Sequence, residues 1–183
     1  MKYSRLIKLK NGGTALLRSG EASDGSAVLD YFNLTHAETD YLLSYPDENS
    51  FDAAQEGDFL ERKAVRANEV EIIAIVDGKV AGSAGIDAIG SMYKVRHRAE
   101  FGISILKEYW GLGPGRALTQ ACIKCAKDAG FSQLELTVAA ENSRAVALYQ
   151  SEGFVKYGRN PLGFNSRISG FQEPIHMRLP LSD

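Results

Sequence analysis

The stretch EYWGLGPGRAL, residues 108–118, places three glycines within five positions and follows the apolar segment HRAEFGISIL, residues 97–106. Glycine lets backbone N–H groups approach an anion closely, and the first N–H groups of a helix have no partners inside that helix. A glycine-rich loop between a strand and a helix is therefore typical of phosphate binding. The stretch predicts a strand, a phosphate-binding loop and a helix, in that order.

The loop lacks the marks of the two common nucleotide-binding loops. A Walker A loop ends in Gly-Lys-Ser/Thr, whereas this loop ends in Gly115-Arg116-Ala117 and offers no hydroxyl for magnesium. The dinucleotide fingerprint G-x-G-x-x-G requires a third glycine at position 116 or 118, and these are arginine and leucine. Both nucleotide-binding classes are excluded.

The rest of the chain has the hydrophobic periodicity of a mixed α/β domain. Asp77-Gly78 joins two apolar strands and is typical of a type I′ hairpin turn. A helix follows the glycine loop to about Asp128. The other predicted elements are a strand over 14–20, helices over 22–45 and 51–66 with a break near Pro46, strands over 69–76, 79–89, 97–106 and 132–138, a helix over 142–152, and strands over 154–158 and 173–181.

The composition is that of an ordinary globular chain, with 44% hydrophobic and 24% charged residues among 183. This length predicts a single domain over residues 1–183. The formal net charge of -2 gives no basic field that would attract nucleic acid. No apolar run approaches the roughly 20 residues that cross a bilayer, and the amino terminus lacks the continuous apolar region of a secretory signal. We therefore expect a cytoplasmic protein with no nucleic-acid or membrane partner.

Cys122 and Cys125 have a C-x-x-C spacing, which is compatible with a metal site or a redox pair. Helical spacing places both on one face with Leu118 and Ala121. No second pair of Cys or His residues stands nearby to complete four zinc ligands. The pattern favours core residues with free thiols, which suits a cytoplasmic protein, and it predicts no metal.

A second motif lies downstream, in LELTVAAENSRAVALYQSEGF, residues 134–154. The two segments together resemble the GCN5-related N-acetyltransferases (GNAT), whose acyl-CoA signature Q/R-x-x-G-x-G/A joins a strand to a helix. The counterpart of that signature here runs from Trp110 to Gly115. The family's later pattern, L-x-V-x-x-x-N-x-x-A-x-x-L-Y-x-x-x-G-F, is matched by Leu136, Val138, Asn142, Ala145, Leu148, Tyr149, Gly153 and Phe154.

The resemblance implies an α/β fold: a twisted mixed sheet of six to seven strands with central splayed strands, flanked by about four helices. It implies an acyl-CoA-binding core over about 70–158 and acceptor-site helices over about 22–66. The implied activity is transfer of the acetyl group of acetyl-CoA to a primary amine of a small molecule or a protein, directly in a ternary complex. A non-catalytic acyl-CoA-binding module is the alternative, because Trp110 and Pro114 depart from the signature.

The resemblance also implies a cofactor site. Backbone N–H groups of residues 111–116 would hold the CoA pyrophosphate, and the end of the preceding strand would pair with the pantetheine amides. Asn142 would contact the cofactor near the second splayed strand. The residues implied to bind the cofactor are Ile103, Ser104, Ile105, Trp110, Gly111, Leu112, Gly113, Gly115, Arg116, Asn142 and Tyr149.

Two residues are candidates for proton transfer. Tyr149 is similar to the family's tyrosine near the sulfur and would be the general acid for the leaving thiolate; the alternative is a core tyrosine packed with Leu148. Glu100 is the candidate base that deprotonates the amine, directly or through water. The alternative for Glu100 is an exposed strand carboxylate, or one paired with Arg96 or Arg98.

Three loop residues change the donors that face phosphate. Trp110 stands where Arg or Gln is typical, so that side-chain donor is lost or replaced by the indole N–H. Pro114 removes one backbone N–H, although its fixed φ suits the first helical turn. Arg116 either offsets these losses through its guanidinium or is a solvated helix residue.

The segment 19–61 contains no Lys or Arg. In the resembling family this region builds much of the acceptor site, which gives the hypothesis of an acidic mouth that attracts a cationic acceptor such as a polyamine, an aminoglycoside or a protein amino terminus. Solvated helix faces are the alternative explanation. The family's carboxy-terminal strands often pair across a dimer, which implies a homodimer as one arrangement. The acidic residues of the segment are Glu21, Asp24, Asp30, Glu38, Asp40, Asp47, Glu48, Asp52, Glu56, Asp58 and Glu61.

Overall fold

A computed structural model describes residues 1–181 of the chain. Among them are ten strands and four α-helices, with short 3-10 turns between some of them. The strands are β1 (Ser4–Lys8), β2 (Thr14–Ser19), β3 (Val70–Val76), β4 (Lys79–Ala88), β5 (Arg98–Ile105), β6 (Gln133–Ala139), β7 (Val155–Arg159), β8 (Phe164–Ser166), β9 (Gly170–Gln172) and β10 (Pro174–Pro180). The helices are α1 (Gly25–Glu38), α2 (Ala53–Val65), α3 (Pro114–Asp128) and α4 (Ser143–Ser151).

Eight of these strands form one mixed sheet in the order β1-β2-β3-β4-β5-β6-β10-β7, and β8 pairs with β9 separately. Within the large sheet only β5 and β6 run parallel to each other. Strand alternation sends Ile72 and Ile73 to opposite faces. Ile73 packs with Tyr31 and Leu60 of α1 and α2, while Ile72 joins the larger core that contains α3 and α4.

The parallel strands β5 and β6 separate after a short paired stretch. Their register pairs run from Arg98–Gln133 to Glu100–Glu135. Arg98 and Glu135 form an ion pair across this junction, with one N–O distance of 2.8 Å. Beyond Glu100, β5 continues beside β4 and β6 continues beside β10. The predicted splay of the central strands is confirmed, and it opens a gap in the middle of the sheet.

The predicted six to seven strands are too few, since the large sheet of the described chain has eight. The strand missed at the amino terminus is β1, an edge strand whose residues are mostly exposed and show little alternation. It is defined by its pairing with β2 rather than by a buried face of its own. The four predicted helices are confirmed.

The helix predicted over 22–45 is shorter than expected. It ends at Glu38, and the next residue, Thr39, has an extended backbone. The following residue, Asp40, accepts hydrogen bonds from Ser166, Ser169 and Gln172 of the β8–β9 region. These contacts hold the segment between α1 and α2 over the sheet in a non-helical conformation.

Two local predictions are confirmed. Asp77 and Gly78 have φ values of 48° and 79°, as a type I′ turn requires. Cys122 and Cys125 are free, lie on α3 and are buried in the core. In the described part of the chain, no helix has the length and apolar character to cross a membrane.

Candidate active site

Two cavities meet where β5 and β6 separate. The smaller has a volume of about 450 Å³ and lies beside the glycine loop and the start of α4. The larger has a volume of about 930 Å³ and lies between the sheet and α1 and α2. The two cavities therefore adjoin at the gap in the sheet. The residues that line both cavities are Tyr41, Leu42, Ile103, Ser104, Asn142 and Tyr149.

The glycine loop presents unpaired backbone donors to the smaller cavity. Gly111 and Gly113 have φ values of 80° and 112°, which other residues rarely adopt, and Gly113 caps the start of α3. Within residues 1–181, no backbone acceptor is found for the N–H groups of Gly111, Gly113, Gly115 and Arg116. All four of these residues line the smaller cavity. This is the arrangement that binds an anion at a helix amino terminus.

Leu112 and Pro114 face away from this cavity. The N–H of Leu112 donates to the carbonyl of Tyr109, and its own carbonyl accepts from the N–H of Lys10. The ring of Pro114 is fully buried at the first position of α3. The free backbone donors are therefore those of residues 111, 113, 115 and 116, rather than of every residue from 111 to 116.

Trp110 braces the loop against the strand that precedes it. Its indole N–H donates to the carbonyl oxygen of Ile105 at 2.7 Å, so this donor is used within the protein. Arg144 lies over the indole ring at 5.6 Å and Lys107 lies at 5.8 Å. Trp110 stands where Arg or Gln is typical, and its indole holds the loop in position relative to β5.

Three basic side chains border the smaller cavity: Lys10, Arg116 and Arg144. Arg116 pairs with Glu152 at 2.9 Å and donates to Ser151, which ties it to α4. Sequence reasoning missed Lys10 and Arg144. The sequence did contain a signal for Arg144, because this residue lies in the first turn of the helix that carries the second motif. It contained none for Lys10, which is brought to the loop only by the β1–β2 turn.

Asn142 and Tyr149 are both placed by α4. The side-chain oxygen of Asn142 accepts from the N–H of Ala145 and caps the helix. Tyr149 is 7% exposed and packs edge-on against Phe101, with ring centroids 6.1 Å apart. No partner for its hydroxyl is found within the described residues, and burial raises the pKa of Tyr149. The tyrosine is thus packed in the core and also protonated at the junction of the two cavities.

Tyr31, which sequence reasoning missed, holds β5 at this junction. Its hydroxyl accepts from the N–H of Ser83 at 3.0 Å and donates to the carbonyl of Ser104 at 2.6 Å. These two serines are register partners on β4 and β5. The contact links α1 to the strand end formed by Ile103, Ser104 and Ile105, which borders the smaller cavity.

Glu100 lies on the larger cavity and is exposed. Its two proposed partners are engaged elsewhere, because Arg98 pairs with Glu135 and Arg96 lies over the ring of Tyr93. The explanation of Glu100 as the partner of either arginine is therefore wrong, and the carboxylate faces the cavity without an ion pair in the described chain.

The larger cavity is acidic. Five carboxylates line it, together with a single Lys or Arg side chain, Lys63. Lys63 is buried and bonds to Asp87 at 2.7 Å and to Glu71 at 3.2 Å. Only Glu48 and Glu56 come from the acidic segment 19–61; the other carboxylates are on β3, β4 and β5. No group of His, Cys, Asp and Glu side chains suited to holding a metal ion is found in residues 1–181.

Comparison with known proteins identifies the family. Residues 32–154 match the model of the acetyltransferase (GNAT) family, and the chain belongs to that family. A GNAT-family acetyltransferase from Streptococcus pneumoniae is 31% identical with a TM-score of 0.86, covering 92% of this chain and 99% of that one. The expected resemblance and the α/β fold are confirmed.

Other matches are shorter or more distant. The mycothiol acetyltransferase of Paenarthrobacter aurescens is 44% identical over 70 residues, which are 38% of this chain and 19% of that protein. The match thus spans about a fifth of that relative's length. A phosphinothricin acetyltransferase from Sinorhizobium meliloti, solved in complex with acetyl-CoA, shares the fold at 20% identity, with a TM-score of 0.79 over 92% of this chain and 89% of that one.

Proposed function

We propose that this protein transfers the acetyl group of acetyl-CoA to a primary amine, directly in a ternary complex. The observation that carries the proposal is the meeting of the two cavities at the splay of β5 and β6, with Tyr149 at the junction. One cavity serves the cofactor and the other the amine, so the reactants meet without a covalent enzyme intermediate. Family membership supports the same reaction class.

The smaller cavity suits acetyl-CoA. Free N–H groups of the glycine loop would bind the pyrophosphate, with Lys10 and Arg144 as additional cations. The backbone of Ile103 to Ile105, which has no strand partner on its β6 side, would pair with the pantetheine amides. Asn142 borders the same path. A phosphinothricin acetyltransferase of the same fold is known with acetyl-CoA bound.

The chemistry follows from the positions of Glu100 and Tyr149. Glu100 accepts a proton from the acceptor ammonium, directly or through water, which frees the nitrogen lone pair to attack the thioester carbonyl. A backbone N–H near Ile103 polarises that carbonyl. As the carbon–sulfur bond breaks, the Tyr149 hydroxyl gives its proton to the leaving thiolate. The second proton lost by the nitrogen as the amide forms returns Tyr149 to its neutral form, directly or through water. Burial raises the pKa of Tyr149, so its hydroxyl is protonated before the reaction.

The charge of the larger cavity supports a cationic acceptor. Its carboxylates outnumber Lys63, which already bonds to two of them. Such a cavity attracts ammonium groups and repels anionic ones. The free, buried thiols of Cys122 and Cys125 favour a cytoplasmic setting for this reaction.

The proposal is tested by calorimetry with acetyl-CoA and CoA, followed by a thiol-release assay over a panel of primary amines. We expect both nucleotides to bind and at least one cationic amine to release CoA. Binding with no release on any amine of the panel would instead support the non-catalytic acyl-CoA-binding module.

A further inference from the structure

We infer that the acceptor carries a second cationic group in addition to the amine that is acetylated, and that Glu56 binds this second cation. The inference rests on the proposed function and adds the substrate class, a diamine or polyamine. It begins with an unusual carboxylate in the larger cavity.

Glu56 lies on α2, lines the larger cavity and is only 8% exposed. No hydrogen bond or ion pair of its carboxylate is found within residues 1–181. Its oxygens keep some contact with the cavity, since the one fully buried side-chain oxygen without a hydrogen bond in the described chain belongs to Glu152. A carboxylate that is largely removed from water and has no partner carries a desolvation cost that a ligand can offset. Burial raises the pKa of Glu56, and the nearby charge of Glu71 raises it further, while Lys63 opposes both. A cation in the cavity would remove this cost.

The other carboxylates of the cavity have different roles. Lys63 is the partner of both Glu71 and Asp87, and Arg167 pairs with Glu48 at 3.0 Å. This leaves two cavity carboxylates without ion pairs in the described chain, Glu56 and Glu100. The exposed Glu100 lies on the strand that leads to the reaction site, and the buried Glu56 lies on the helix above β3. Two free carboxylates at two places suit two cationic groups on one molecule.

A row of residues on three neighbouring strands forms the floor of the cavity beside Glu100. Glu71, Gly85 and Gly102 are register partners in one row across β3, β4 and β5. A Cβ on Gly85 would lie 2.2 Å from a carboxylate oxygen of Glu71, so a side chain at Gly85 would displace that carboxylate. Gly102 faces open space. Two strand spacings separate Glu71 from Gly102, about 10 Å. The floor of the cavity is therefore open at Gly102, whereas the carboxylate of Glu71 covers Gly85.

An amino acid or another anionic amine fits this cavity poorly. Its carboxylate would need a cation, and Lys63, the one Lys or Arg side chain that lines the cavity among the described residues, is 3% exposed and held by two acidic partners. Removing a partner from a buried pair is costly, so Lys63 does not turn to a ligand.

The test compares putrescine, butylamine and γ-aminobutyrate, which have the same carbon chain and differ in the group at the far end. We expect kcat/KM for putrescine to exceed that for butylamine by about 10-fold to 100-fold, the range for a buried charge-assisted hydrogen bond. Glu56→Gln keeps the size of the side chain and removes its charge. It should lower kcat/KM for putrescine to about that for butylamine, and the KM for acetyl-CoA shows whether the cofactor site of the variant is intact.

Glu61→Gln is the matched control, since Glu61 is an exposed carboxylate on the same helix. It should keep the preference for putrescine. A Glu56→Gln variant that still prefers putrescine, or a wild-type protein that prefers γ-aminobutyrate, would overturn the inference.

Calorimetry of putrescine with the CoA-bound protein separates this inference from the proposed function. Tighter binding of putrescine than of butylamine, lost in Glu56→Gln, supports the second cation site even without turnover. Equal binding of the two amines overturns the inference, whereas turnover with butylamine in that case would leave the proposed function standing.

Discussion

The side chain of Tyr149 belongs both to the hydrophobic core and to the candidate active site. Its ring packs against Phe101 and Phe154 in the core, while the residue also lines both cavities at their junction. Packing and catalysis are compatible here because they use different parts of the side chain. The ring fixes the position, and the hydroxyl stays available to the leaving thiolate.

Tyr149→Phe should lower kcat by about 10²–10⁴-fold, the usual contribution of a general acid. The melting temperature should change little, because no hydrogen bond of the hydroxyl is found in the described chain. Steady-state thiol release and thermal unfolding measure the two effects. Tyr93→Phe, at an exposed tyrosine outside both cavities, is the control. An unchanged kcat would remove Tyr149 from the mechanism.

At the scale of the element, α3 begins with a backbone conformation that only glycine adopts without strain. Gly113 has a φ of 112°, and open space surrounds the position where a Cβ would stand. Gly115, two residues later, has ordinary helical backbone and room for a methyl group, with its nearest neighbour at 3.7 Å. The two glycines therefore differ in backbone strain rather than in available space.

Gly113→Ala should lower the free energy of unfolding by about 1–3 kcal/mol, because the strained φ is the only cost. Gly115→Ala, the matched control, should stay within about 0.5 kcal/mol of the wild type. Urea unfolding of both variants measures the difference. Equal stability of the two variants would show that the loop relaxes to another conformation.

Elements with local signals were predictable from the sequence, and elements defined by distant partners were not. The Asp77-Gly78 turn and the capped helix after Asn142 depend on neighbouring residues, so their patterns were sufficient. The end of α1 at Glu38 depends on contacts of Asp40 with residues more than 120 positions away. Short-range periodicity contains no information about such contacts.

In the candidate site, too, the parts that lie within local motifs were predictable from the sequence, and the parts formed by distant residues were not. The glycine loop and α4 lie within motifs, and the residues predicted to bind the cofactor line the smaller cavity apart from Leu112. That they bind it stays a prediction. The acidity of the larger cavity was expected from residues 19–61, yet most of its carboxylates are on strands. Glu71 and Asp87 come together with Lys63 only through the sheet register.

At the scale of the whole molecule, the Arg98–Glu135 pair fastens the two halves of the sheet just before they separate. The hydrogen bond from Arg98, with further bonds from Gln133 and Tyr157, lowers the pKa of Glu135 to about 2 from its ordinary 4.5. A lowered folded-state pKa stabilises the fold above the unfolded-state value. This contribution is lost as the pH falls from about 4.5 through about 2.

Glu135→Gln should therefore flatten the pH dependence of stability in that acid range. Urea midpoints at about pH 5 and about pH 3 measure the slope for wild type and variant. The wild type should lose more stability than the variant between these two values. A variant with the same slope as the wild type would assign acid unfolding to other carboxylates.

The gap between β5 and β6 has a consequence for the lifetime of the protein. The strands on either side come from separate parts of the chain, β1–β5 before residue 106 and β6, β7 and β10 after residue 132. An acetyl-CoA arm bonded to both edges would act as a removable strand that joins the two parts. Ligand at about 100 times its Kd stabilises a fold by about 2.7 kcal/mol. Binding of acetyl-CoA or CoA in this gap would then raise the resistance of the protein to proteolysis.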